Sequence, residues 1–153
     1  MSIEQNKAII QRYLKAWNTA DLHAFDELLA PDFRSHCGTQ HTCTMVKIDR
    51  EAYKKLVTLY HAAFPDIKFE IDEMIAEGDK VVVRWTATGT HKGEFAGIPP
   101  TNESIIITAT VVERIKDGKV MEHWANRDDL GLLQQLGVVP PVSLMESLVT
   151  VEV

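Results

Sequence analysis

Residues 105–126 read IIITATVVERIKDGKVMEHWAN, and this stretch decides the fold. Ile105 to Ile115 is a β-branched run of the kind that suits a pleated, half-buried surface. Asp117-Gly118 is a strong two-residue hairpin signal, because both residues tolerate the positive φ that such turns require. The chain therefore returns at once as a second strand, from Lys119 to about Asn126. Upstream the same alternating habit begins after Pro65, where Ile67, Phe69 and Ile71 are set against Lys68, Glu70 and Asp72. Glu77-Gly78-Asp79 turns the chain into Val81 to Thr90, and Gly97-Ile98-Pro99-Pro100 makes a bend. About four antiparallel strands are expected.

Before Pro65 the period is helical. Ser2 and Gln5 form a capping box, and Ile9, Ile10, Tyr13, Leu14 and Trp17 follow at helical spacing. Asn18-Thr19-Ala20-Asp21 breaks that helix. Asp21 then caps a short second one with Leu22, Phe25, Leu28 and Leu29 on one stripe before Pro31. A third helix starts near Asp49 and presents Ala52, Leu56, Leu59, Tyr60 and Ala63 before Phe64-Pro65 ends it. Beyond the last strand, Asp128 or Asp129 caps a final short helix with Leu130, Leu133 and Leu136 as its apolar side and Gly137 as its stop. Three helices, a sheet and a closing helix make an α+β domain.

The chain has 153 residues, 45% of them apolar, and a formal net charge of −6. That is one domain's worth of sequence with enough apolar content for a core. No apolar run reaches the roughly 20 residues needed to cross a bilayer, and the first residues lack the basic and apolar blocks of a signal peptide. The expectation is a cytoplasmic protein with no membrane partner. The acidic balance argues against nucleic acid as a partner, since such binders carry basic patches. Cys37 and Cys43 are too few for a disulfide scaffold and are expected to be reduced. His36, Cys37, His41 and Cys43 lie close together, but their spacing suits a tetrahedral metal site poorly, so no metal is expected. No phosphate loop, dinucleotide fingerprint, nucleophile elbow or H-E-x-x-H occurs, and no cofactor is expected. From Val138 to Val153 the chain reads as a tail, broken at Pro140-Pro141 and apolar through Leu144, Met145, Leu148, Val149 and Val151. Packing on the domain or on a dimer partner would cover those residues.

Phe64-Pro65-Asp66, Glu77-Gly78-Asp79-Lys80-Val81, Gly89-Thr90-His91, Gly97-Ile98-Pro99-Pro100-Thr101 and the ending Asp117-Gly118-Lys119-Val120-Met121-Glu122-His123-Trp124, with Leu130-Gly131-Leu132-Leu133, together resemble the SnoaL-like polyketide (ester) cyclases. Asp32-Phe33 with His36 matches the family's motif after the second helix. The resemblance covers residues 1 to about 137. It implies a cone-shaped α+β barrel of the nuclear-transport-factor-2-like superfamily, with a strongly curved sheet around a deep apolar pocket, usually in a homodimer. It also implies a cofactor-independent cyclase or isomerase acting by acid/base proton transfer on an apolar, polyketide-like or other carbonyl-bearing small molecule. Such chemistry needs a base beside a carbonyl and a dry cavity that folds the substrate.

The family's acid/base aspartate falls at Ala125, and a further histidine of those cyclases falls near Val111. If Ala125 faces the pocket, strand alternation places His123 and Met121 on the same side. His123 is then the expected acid/base, with Asp128 and His36 as orienting or substrate-binding partners. Trp17, Phe33, Tyr60, Phe64, Trp85, His91, Met121 and Ala125 are the expected substrate-binding residues. Two alternatives stand beside this reading: a non-catalytic ligand-binding protein of the same fold, and a dehydratase or epoxide-hydrolase type of relative.

Overall fold

The computed structural model describes residues 1–38 and 45–141. Helix α1 (Ile3–Thr19) opens on the full capping box, with Ser2 and Gln5 each bonding the other's backbone, and closes at Ala20 in the left-handed region. Helix α2 (Leu22–Leu28) is capped by Asp21. Helix α3 (Arg50–Ala63) is capped by Asp49, whose carboxylate accepts from the Ala52 N–H. Its buried stripe is Tyr53, Val57, Tyr60 and Ala63, while Leu59 is 61% exposed. The stripe is therefore turned from the expected one. Tyr53 takes the inward place that had been given to Ala52.

Six strands form one sheet in the order β2-β1-β6-β5-β4-β3. Four of them, β3 (Lys68–Glu77), β4 (Lys80–Thr90), β5 (Ser104–Lys116) and β6 (Lys119–Arg127), are the antiparallel meander expected from the alternation. Asp117 and Gly118 both have positive φ, at 51° and 77°, as the hairpin signal requires. The other two strands were not expected. β1 (Leu29–Gly38) runs parallel to β6, and β2 (Met45–Ile48) pairs antiparallel with β1. Pro31 and Asp32 mask β1 in the sequence, and the structure accommodates them in an irregularity between Leu29 and Arg34, where the ladder to β6 shifts register. A proline lacks the N–H that a regular rung needs, so it is tolerated at such a break.

Further shifts between Ile71 and Glu73 and between Arg114 and Ile115 bend the sheet. Bulges increase local twist and curvature, and the bent sheet wraps α1 and α3 as a cone-shaped α+β barrel. Its core joins Ile10, Tyr13 and Trp17 of α1, Phe25 of α2 and Tyr53 and Val57 of α3 to the inward residues of the strands, including Val81, Val83, Ile107 and Val120. Helix α4 (Asp129–Gln135) closes the chain with Leu132 and Leu136 buried, whereas Leu130 is exposed. The expected apolar side of α4 is therefore correct only at Leu136. No described helix is long and apolar enough to cross a membrane. Within the tail expected from Val138 to Val153, residues 142–153 lie outside the described residues, as do His41 and Cys43.

Candidate active site

A cavity opens between the concave face of the sheet and helices α1 and α3. Its walls are apolar, from Leu14, Leu56, Phe69, Ile107, Val111 and Ala125, together with the rings of Trp17 and Trp85. Tyr13, Tyr53, Glu113 and His123 supply a polar end, and Tyr60 and Arg127 also line it. The enclosed space is about 40 Å³, room for water molecules and far below the roughly 300–1,000 Å³ of a typical small-molecule site. The deep pocket implied by the resemblance is thus narrow here, because aromatic side chains fill much of it. A ring system enters only if those walls move outward.

The polar end is built by strand register. Glu113 on β5 lies directly across from His123 on β6, and the next rung of the same face, two residues along, pairs Val111 with Ala125. The two positions that lack the family's polar groups are therefore apolar neighbours. One rung away, about 7 Å along the strands, two ionisable side chains meet. His123 Nδ1 lies 2.7 Å from Glu113 Oε1, with side chains 8% and 1% exposed. A carboxylate can only accept, so Nδ1 carries the proton and the ring's basic lone pair is on Nε2. Glu113 holds the imidazole in this tautomer and would balance the charge it gains on protonation.

Tyr53 lies against His123, ring centroids 5.5 Å apart. Its hydroxyl accepts from Trp17 Nε1 at 3.2 Å and is hydrogen-bonded to that of Tyr13. Burial first, then the charges of Tyr53 and Glu113, push the Tyr13 phenol well above its ordinary value. It stays protonated and able to donate. Arg127, two residues beyond Ala125, donates from Nη1 to the Tyr60 hydroxyl at 3.1 Å and pairs through Nε with Asp129 at 3.4 Å. It supplies the cavity's cation.

Of the residues singled out from the sequence, His123, Trp17, Tyr60, Trp85 and Ala125 line this cavity. Met121 does not. The bulge opposite Arg114 and Ile115 makes Met121 the extra residue of β6, so Val120 turns inward in its place. Phe33 and Phe64 are fully buried core residues, outside the cavity lining. His91 is also fully buried and away from the lining; its Nδ1 accepts from the Thr101 N–H at 3.2 Å, which ties the ends of the 91–101 loop together.

His36 and Asp128 are not brought to His123. His36 sits on β1 beside β6, stacked on Trp124 at 4.9 Å with its Nε2 3.2 Å from Glu122. Glu122 and Trp124 alternate with His123 along β6, so this cluster occupies the opposite face of the sheet. Burial would raise the Glu122 carboxyl, but bonds from Arg114 and His36 outweigh it and hold the group below the usual range. Asp128 caps α4, accepting from the Gly131 N–H at 2.9 Å. Replacing Asp128 by Ala should lower unfolding free energy by about 0.5–2 kcal/mol, the usual cost of losing such a cap, as read by chemical denaturation. Stability within a few tenths of wild type would contradict the capping role.

Asp66, part of the Phe64-Pro65-Asp66 motif, is likewise structural. Its carboxylate accepts from the Thr90 hydroxyl and N–H, both at 2.7 Å, and these bonds lower its pKa. The cavity's Glu113, Tyr53 and Arg127 were missed in the sequence. Glu113 carried a usable signal: it shares the inward phase of β5 with Ile105, Ile107, Ala109, Val111 and Ile115, all buried. A charged residue in such a phase is rare without a partner or a task.

Comparison with known proteins agrees with this architecture. Residues 7–136 match the model of the SnoaL-like polyketide cyclase family. The nogalonic acid methyl ester cyclase of Streptomyces nogalater is 29% identical over 126 residues, 81% of this chain and 91% of its own length. AclR of Streptomyces galilaeus, a candidate hydroxylase, superposes with a TM-score of 0.83 at 32% identity, covering 95% of this chain and 89% of its own. IdmH of Streptomyces antibioticus, a candidate polyketide cyclase, gives 0.77 at 34% identity over 88% of this chain and 99% of its own. With most of its length matched in sequence and its barrel matched in space, the chain belongs to the SnoaL-like polyketide cyclase family.

Proposed function

We propose that this protein is a cofactor-independent cyclase or isomerase that moves a proton on an apolar, carbonyl-bearing small molecule of polyketide type, with the His123–Glu113 pair as its base. The observation that carries the reading is that pair, buried at the end of an otherwise apolar cavity. Burying two ionisable groups is costly and often adds nothing to stability, which argues for a task and against a pocket that only holds a ligand. His123 Nε2 removes a proton from the carbon beside an ester or ketone carbonyl, and Glu113 stabilises the imidazolium. The resulting enolate attacks a second carbonyl of the same molecule, a C–C bond forms, and the imidazolium returns its proton to the new alkoxide. No atom is gained or lost overall. The Tyr13 phenol, kept protonated by burial, and the Tyr53 hydroxyl bonded to it offer hydrogen bonding to an oxygen on which charge develops, the kind of donor whose loss costs about 10²–10³-fold in rate.

The relatives' names include nogalonic and aklanonic acid methyl ester cyclases, and an aromatic polyketide methyl ester is therefore the substrate to try first. Incubated with such an ester in D₂O, the protein should exchange the proton beside the carbonyl faster than buffer does, as followed by proton NMR, whether or not ring closure completes. Exchange at the buffer rate, with the ester shown to bind, would remove the proton-transfer reading.

A further inference from the structure

We infer that the second carboxylate oxygen of Glu113, Oε2, is a subsite for a ligand hydroxyl, so that the pocket selects molecules with an enol or phenol O–H. The inference rests on the reading of the cavity as a substrate pocket. Glu113 spends one oxygen on His123. Oε2 is buried and has no hydrogen-bond partner among the described residues. A carboxylate oxygen deprived of both water and a donor is expensive, and folded proteins rarely leave one so. Its neighbour on β5 in the cavity wall is Val111, which has no proton to give. The donor we assign to Oε2 is a ligand hydroxyl in the cavity that Glu113 lines, reached when the walls move outward.

The chemistry of that donor follows from the cavity wall. Its mostly apolar lining makes a strongly hydrated ammonium costly to desolvate, whereas a neutral hydroxyl enters at lower cost. A hydroxyl donating to an ionised oxygen also makes one of the stronger hydrogen bonds. Once those walls have moved outward to admit it, the aromatic faces of Trp17, Tyr53 and Trp85 suit a flat ring carrying that hydroxyl. Glu113 thereby acts twice, orienting the base through Oε1 and reading the substrate through Oε2.

Phenol and anisole differ by one methyl group on the oxygen, and their binding to the full chain by isothermal titration calorimetry tests the subsite. Phenol is expected to bind at least about tenfold more tightly, the usual scale for a hydrogen bond to a charged group. An apolar cavity without such an acceptor would favour anisole, which offers more apolar surface. Glu113→Leu should bring the two affinities within about threefold, and His123→Gln should keep the preference for phenol. Equal or tighter binding of anisole to the wild-type protein, or no binding of either up to the solubility of anisole, overturns the subsite. A His123→Gln protein that discriminates but still turns over the ester contradicts the acid/base reading and leaves the subsite standing.

Discussion

Replacing His123 by Gln is expected to lower turnover of an aromatic polyketide ester by about 10²–10⁴-fold, the range in which general acid/base groups contribute. The substitution keeps a polar side chain of similar reach, so a hydrogen bond to Glu113 Oε1 can be retained where His123 now holds it at 2.7 Å. What it removes is the basic ring nitrogen that can take up and return a proton. The loss should fall on kcat with little change in KM, because a proton-transfer group acts in the transition state and not in ground-state binding. A rise in KM at unchanged kcat would mark His123 as a binding residue only. Steady-state kinetics beside a thermal melt separates either result from misfolding.

The second large effect concerns folding. Phe33 lies on β1 with no exposed surface, and its ring packs 5.2 Å from that of Tyr53. Phe33→Ala should cost about 3–5 kcal/mol, because the lost transfer energy is joined by a cavity that the surrounding barrel cannot close. For a domain of this size that lowers the melting temperature by roughly 6–20 °C. Denaturant unfolding should show a lower midpoint at an unchanged slope. A loss under about 1 kcal/mol would mean that the ring borders open space and belongs to the pocket wall, as the sequence had suggested.

The difference between those two placements of Phe33 shows where the sequence is legible. Helix starts were readable because caps are local: Ser2, Asp21, Asp49 and Asp128 each bond a backbone N–H three residues on. The hairpin at Asp117-Gly118 was readable for the same reason. β1 was not, since its pairing with β6 joins residues almost ninety positions apart and its Pro31 argues locally against a strand. The same non-local registry decides the site. Alternation along β6 correctly put His123 and Ala125 on the cavity side, but it failed at Met121, where a bulge resets the phase. His36 was expected beside His123 in the pocket, and only the sheet order shows that it stacks on the far face. Glu113 was the reverse case, a polar residue hidden in a β-branched run whose inward phase was visible and went unused.

In the proposed function the acid/base role passes from the family's position, Ala125, to the ionisable pair beside it. The apolar pair Val111 and Ala125 lies in the cavity wall, and Glu113 and His123 stand two residues along the same two strands. In the proposed function Glu113 and His123 work as one base. The most direct test is a double-mutant cycle on kcat with His123→Gln, Glu113→Gln and both together, in protein shown to be folded. The double variant should be no slower than the slower single one, because removing either member already disables the unit. Losses that multiply independently would contradict it.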